Sequence, residues 1–155
     1  MKLIPEWHEH ESCLIAWPCN NDLYGDIISE ARREVANIII EIAKTEKVIV
    51  LCNEEDIIEV KKNIQAKNII ILSCKLDDSW VRDIAPIFFT EDKKIKSVNF
   101  KFNGYGKYLN FQKDNKVSEF ISNYLKIPSI FSDIVLEGGA ITYDDNSNLF
   151  STKNV

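Results

Sequence analysis

Asp77-Asp78-Ser79-Trp80-Val81-Arg82-Asp83-Ile84-Ala85-Pro86 gathers three carboxylates, an indole and a guanidinium into ten residues, and overlaps the apolar run Ile84 to Phe89. That run reads as a buried strand. Polar and aromatic groups at the mouth of a strand are where a folded scaffold presents chemistry. Asp83 can take two parallel hydrogen bonds from a guanidinium-like cation. Trp80 can cover the face of such a cation, for about 0.5–2 kcal/mol. Residues three apart on a plain strand point to opposite faces, so Trp80 and Asp83 share a pocket only where the chain turns. From composition alone the commoner reading is a surface pairing of Arg82 with a nearby Asp and a core role for Trp80, since structural ion pairs are common.

Upstream, Ser12 to Trp17 reads as a short strand ended by Pro18. Asn20-Asn21-Asp22 offers capping residues for a long helix whose apolar positions Ile27, Ile28, Ala31, Val35, Ile38, Ile39 and Ile42 follow the helical period. Lys47 to Cys52 is a continuous apolar strand. Asn53 is placed to cap a second helix, with Glu54, Glu55 and Asp56 in its first turn, ending near Ala66. Asn68 to Ser73 is a third strand.

Downstream, Ile84 to Thr90 and Ile95 to Phe102 form a hairpin around the charged turn Glu91-Asp92-Lys93-Lys94. Asn103-Gly104-Tyr105-Gly106-Lys107 is a glycine-bearing loop. Val117 to Leu125 is an amphipathic helix stopped by Pro128. Ile130 to Leu136 is a strand broken by Glu137-Gly138-Gly139. Extended structure resumes from Ala140 to Tyr143 and, after a turn, from Leu149 to Thr152. Helix-then-hairpin recurs at a spacing of roughly sixty to seventy residues, which fits a repeated supersecondary unit. The order of elements gives an α/β or α+β class with a sheet that is not purely parallel. No linker or low-complexity segment interrupts residues 1–155, which read as a single domain.

The 155 residues, 45% hydrophobic and 28% charged, are enough for one domain with a real core. A net charge of −5, with no Lys/Arg run longer than two, argues against a nucleic-acid or anionic-membrane surface and mildly favours a cationic small molecule. No apolar stretch approaches the ~20 residues of a membrane-spanning helix. Pro5 and Glu6 interrupt the start too early for a signal peptide, so the cytoplasm is the expected compartment. Cys13, Cys19, Cys52 and Cys74 are scattered without a CxxC and read as reduced, mostly structural thiols.

Other constellations carry less. Two glycines after Glu137 permit either a close backbone approach to a ligand or an ordinary bend. His8 and His10, near Glu6, Glu9, Glu11 and Cys13, lack the i, i+4 spacing of a helix-borne metal pair, so no metal is expected. There is no GxGxxG, phosphate loop or Gly-x-Ser-x-Gly elbow, and no cofactor is expected. A doubly wound nucleotide-binding domain would need a phosphate loop after the first strand, where Pro18-Cys19-Asn20-Asn21 stands.

Taken in order, Pro5-Glu6-Trp7 with His10-Glu11, Ala16-Trp17-Pro18, Trp80-Val81-Arg82-Asp83 with Pro86, Phe102-Asn103-Gly104 and Leu136-Glu137-Gly138-Gly139 resemble the agmatine deiminase family, grouped with bacterial peptidyl-arginine deiminases. The resemblance implies a pentein α/β propeller of ββαβ-like units around a pseudo-fivefold axis. The recurrence above would then be about two of five units and the start of a third. It implies hydrolysis of agmatine's guanidinium, giving N-carbamoylputrescine and ammonia on the way to putrescine and polyamines, through a cysteine thiolate adduct with a histidine moving protons. Carried over by motif, Asp83 and Glu137 are the acids of the site. Trp80, Asp83, Asn103, Glu137 and Gly138 contact the substrate. The Phe-Asn-Gly loop with Tyr105 looks like the agmatine type, since peptide-reading members carry an arginine-bearing loop there.

Ala85 replaces the family's usual Gly, and Tyr105 its frequent Trp. The family's His-x-Asp and late Gly-rich Cys segments have no counterpart in residues 1–155, and none of the four cysteines matches the nucleophile. The chain alone is therefore expected to be inactive, with sheet edges left uncovered. Its expected partners are a small cationic guanidino compound and either a complementing C-terminal polypeptide or further copies of itself. Peptidyl-arginine deiminase activity and a non-catalytic guanidinium- or polyamine-binding module are the alternatives.

Overall fold

A computed structural model describes residues 2–146 and 148–152. In chain order its principal elements are β1 (Lys2–Leu3), β2 (Ser12–Ala16), α1 (Asn21–Tyr24), α2 (Ile28–Ile42), β3 (Lys47–Cys52), α3 (Ile57–Asn63) and β4 (Ile69–Ser73). They are followed by α4 (Val81–Ile84), β5 (Ile87–Glu91), β6 (Lys94–Lys101), α5 (Val117–Tyr124), β7 (Ser129–Val135), β8 (Ile141–Tyr143) and β9 (Leu149–Ser151). The chain divides into two compact units: residues 10–81, and residues 1–9 with 82–155. The division falls inside the stretch quoted at the outset, between Val81 and Arg82.

The unit of residues 10–81 is a parallel sheet in the order β2-β3-β4. Parallel strands need crossovers, and α1, α2 and α3 supply them. β3 is central and buried from Val48 to Cys52, the continuous apolar run expected of a strand covered on both faces. Ile39 and Ala36 of α2 and Val60 of α3 pack with Val48, Val50 and the fully buried Trp17. Each large aliphatic side chain removed from water here contributes about 1.5–3 kcal/mol.

Three local expectations change in this unit. Asn20 does cap, accepting from Leu23 N at 3.1 Å, but the four-residue α1 and a 3₁₀ turn precede the long helix. Asn53 makes no side-chain cap. It holds the Leu76 backbone instead, donating to the carbonyl (3.3 Å) and accepting from the N–H (2.9 Å). α3 stops at Asn63, short of Ala66.

The second unit is a mixed sheet in the order β1-β5-β6-β7, with β8 and β9 forming a separate hairpin. β5 and β6 are antiparallel, and β6 and β7 parallel across the α5 crossover. Asp92 (φ 51°) and Lys93 (φ 62°) turn the β5–β6 hairpin, both left-handed, as a two-residue primed turn requires. α5 seats on β6 through hydroxyls. Ser122 Oγ lies 2.9 Å from Ser97 Oγ and donates to Asn99 Oδ1 at 3.1 Å. Ile84, expected at the head of a strand, lies in the helical turn α4, and the strand begins at Ile87. The chain thus makes a helical turn at Val81–Ile84 before it enters β5.

β7 is the last strand of its sheet and leaves Phe131 and Ile134 more than 60% exposed. Leu149 and Phe150 of β9 are also exposed. No helix among the described residues is long and apolar enough to cross a membrane.

Candidate functional site

In the second unit the site is built around Asp83. The chain enters β5 through α4, which places Asp83 half-buried beside the segment after β7. Gly139 N donates to Asp83 Oδ1 at 2.8 Å, and the Tyr105 hydroxyl donates to Oδ2 at 2.7 Å. Both oxygens are thereby fixed in direction, and each keeps a lone pair for another donor. Glu137 precedes this contact. Its backbone carbonyl accepts from Ala140 N at 3.0 Å, and its side chain makes no cap hydrogen bond.

The paired glycines are a steric requirement. A Cβ on Gly138 would overlap the Arg82 carbonyl oxygen, and one on Gly139 would overlap Asp83 Oδ1. Residues 82–83 and 138–139 therefore meet at backbone distance, the close approach that glycine after a strand allows.

The loop after β6 delivers Tyr105 through strain. Gly104 (φ 67°), Tyr105 (φ 60°) and Gly106 (φ 64°) are consecutive left-handed residues, and for Tyr105 that costs about 1 kcal/mol. Asn103 Oδ1 accepts from Gly106 N at 3.0 Å and closes the turn. Phe102 buttresses the Tyr105 ring edge-on, with centroids 5.0 Å apart. Asn103 is thus engaged in shaping the loop that carries Tyr105.

Arg82 pairs with Glu6, which β1 brings over by pairing with β5, rather than with a neighbouring Asp. Both side chains are about half exposed, so the pair is worth little in itself. Tyr143 lies near both charges, and burial, outweighing Arg82, pushes its hydroxyl above the ordinary range. A separate cavity of about 360 Å³, lined by Asn99, Lys101, Ser118 and Phe131 among others, contains none of the expected site residues.

Trp80 belongs to the other unit. Its indole N–H donates to Asp78 Oδ2 at 2.9 Å, and its ring is 43% exposed, so it is not core. Asp78 is buried and also accepts from Asn20 Nδ2 (3.2 Å) and Ser79 N (2.7 Å). The Tyr24 and Ser79 hydroxyls meet at 2.9 Å.

The structure therefore brings Asp83, Gly138 and the Asn103 loop together within one unit, with Glu137 at the start of the glycine turn. The loop bearing Tyr105 was a candidate pocket wall, but its hydroxyl and the Gly139 N–H were not expected as donors to Asp83. The signal for Tyr105 was its place between two glycines, and for Gly139 the second glycine of the pair.

Two of the four thiols are held away from the reactive thiolate form. Burial, with added repulsion from Asp56, pushes the Cys52 thiol up to about 11. Burial and then the Glu46 carboxylate raise that of Cys13. Both thiols stay protonated at neutral pH, and a protonated thiol is a poor nucleophile.

The chain matches the family model described as Porphyromonas-type peptidyl-arginine deiminase over residues 2–155. It is 32% identical over 154 residues to a protein of Mycoplasma capricolum subsp. capricolum named "Putative agmatine deiminase", covering 96% of this chain and 42% of that protein. It is 29% identical over 155 residues to an agmatine deiminase of Pseudomonas aeruginosa, covering 96% of this chain and 42% of that one. Its fold matches the agmatine deiminase structure of Enterococcus faecalis with a TM-score of 0.90 at 22% identity, over 97% of this chain and 43% of that one. The chain thus spans a little over two fifths of the length of the relatives it matches.

Proposed function

Because the chain belongs to the Porphyromonas-type peptidyl-arginine deiminase family, we propose that it supplies the cation-holding part of an agmatine deiminase-like hydrolase. The observation that carries this reading is Asp83, a carboxylate aimed by Tyr105 and Gly139 with lone pairs to spare. A carboxylate so held suits the planar, two-pronged donor face of a guanidinium. Glu137 is the second acid of the proposed site. Gly138 and Asn103 keep the walls in place, and Trp80 enters on its motif alone as the substrate-facing aromatic.

The reaction would convert agmatine to N-carbamoylputrescine and ammonia. A thiolate would attack the guanidinium carbon, a histidine would protonate the departing ammonia, and water would release the product. The nucleophile and its histidine would come from the family's remaining portion, carried by a longer chain or by a second polypeptide. Its complete form would be the five-repeat propeller of which these residues build about two repeats and part of a third. The exposed β7 face fits such a continuation.

Agmatine is favoured over a peptide's arginine because the Asn103-Gly104-Tyr105 loop holds no arginine to meet a terminal carboxylate. The test is ammonia release from agmatine, by the 155-residue chain alone and with the complementary portion of a relative added. No release alone, and release on complementation that Asp83→Asn abolishes, is the expected result. Turnover by the lone chain, or a complemented Asp83→Asn protein with full activity, overturns the proposal.

A further inference from the structure

We propose that His10, Cys13 and Glu46 form a zinc site at the amino ends of β2 and β3. The spacing of His8 and His10 gave no reason to expect a metal, because the third donor comes from another part of the chain. β2 and β3 run parallel with Ser12 beside Lys47 and Cys13 beside Val48. That register brings Glu46, the residue before β3, alongside the segment that leads into β2. His10 Nε2 lies 2.6 Å from Glu46 Oε2 and 3.7 Å from Cys13 Sγ, and the three donor atoms all fall within 4.8 Å of one another.

The donor set suits the ion. Imidazole nitrogen, thiolate sulfur and carboxylate oxygen are the three ligand types zinc takes from proteins, at bond lengths of about 2.0–2.3 Å. Around a tetrahedral ion such ligands stand about 3.3–3.8 Å apart. The His10–Cys13 separation already has that value, and the His10–Glu46 pair needs to open by under about 1 Å. Glu46 Oε2 is shut off from solvent and makes no hydrogen bond of regular geometry, although it faces the ring nitrogen. The polar groups that face the Glu46 carboxylate are the other two donors of the set, the His10 ring nitrogen and the Cys13 thiol.

The same geometry differs from that of a Cys–His–Glu triad. There thiol and acid take different ring nitrogens, whereas here Cys13 and Glu46 both address Nε2. The half-exposed His10 leaves the fourth position open to water. The site lies at the opposite end of the parallel sheet from Asn53 and Asp78. Its role is therefore a clamp on the two strand entries. Binding releases the Cys13 proton to solvent as the thiolate coordinates.

The test uses the full 155-residue chain, reduced and stripped of metal. Zinc is titrated against a chromogenic chelator, and cobalt(II) serves as the optical probe. One equivalent of zinc is expected, with a thiolate-to-cobalt charge-transfer band and the visible bands of a tetrahedral ion. Cys13→Ser removes that charge-transfer band, and Cys13→Ser and Glu46→Gln each weaken zinc by about tenfold or more, while Cys19→Ser changes neither. The same zinc concentration raises the thermal midpoint of the wild type more than that of Glu46→Gln. Failure of the folded wild type to retain zinc, or a charge-transfer band that survives in Cys13→Ser, overturns the site. The wild-type titration decides even where a variant fails to fold.

Discussion

Gly139 hands its backbone N–H to Asp83 across fifty-six residues of chain, at 2.8 Å. A larger residue there must push the Asp83 carboxylate aside, and the neighbouring Gly138 is confined in a different way. A Cβ on Gly138 meets the backbone carbonyl of Arg82, whereas one on Gly139 meets the end of the Asp83 side chain. Backbone cannot yield as a side chain can. Gly138→Ala is expected to cost about 1–3 kcal/mol, read as a lower urea midpoint. Gly139→Ala should cost less but turn Asp83 away, so that a complemented protein loses agmatine binding more than stability. Equal urea midpoints for the two variants would contradict the contact.

Arg32 sits over two acids, donating to Asp56 Oδ1 at 2.9 Å and pairing with Glu59. Burial raises the Asp56 carboxyl despite the guanidinium, which pulls the other way. A raised folded value means that the native state holds the proton more tightly. The Asp56 contribution is therefore fully present below the ordinary carboxylate value and declines as pH rises through the folded value. Arg32→Gln removes the lowering partner and deepens that decline. It should cost about 3 kcal/mol near pH 7 and clearly less near pH 4, measured by urea unfolding at both. A pH-independent loss would show that Arg32 acts through packing alone.

Much of this architecture was legible. β3 announced itself as an unbroken apolar run, and α5 came within a residue of its period-based bounds. The failures were non-local. Ile84 is apolar enough for a strand but continues the turn begun at Val81. Asn53 has the chemistry of a cap, yet Leu76 competes for its amide. Glu6 reaches Arg82 only because β1 pairs with β5. Glu46 reaches His10 only because of the β2–β3 register. Local patterns encode elements, while sites depend on which elements become neighbours.

Lys93 holds a left-handed conformation at φ 62° in the β5–β6 turn. Glycine takes that conformation without the Cβ penalty of about 1–2 kcal/mol. Lys93→Gly, giving the Asp-Gly pair favoured in such turns, is expected to stabilise the chain by about 0.5–1 kcal/mol, allowing for the added freedom of glycine when unfolded. The check is a higher thermal midpoint in differential scanning calorimetry, and a lower one would refute the turn geometry.

Asp78 is the buried acceptor for Asn20, Ser79 and the Trp80 indole. Asp78→Ala strands these donors and should cost about 2–4 kcal/mol. It should also free the indole, visible as a shift in tryptophan emission. Trp80→Phe, which removes the indole donor and leaves those of Asn20 and Ser79, should cost about 1 kcal/mol. A loss on Trp80→Phe as large as that on Asp78→Ala would place the anchor in the ring rather than in the acid.

The outer ribbon of the β1-β5-β6-β7 sheet bears on handling. β7 turns apolar side chains outward and has no further strand beside it among the described residues. Such a margin accepts whatever extended segment arrives first. In a concentrated preparation without a complementing polypeptide, that segment will be another molecule's β7. Light scattering that grows with concentration, and subsides when the complementary portion of a relative is co-expressed, is the practical consequence.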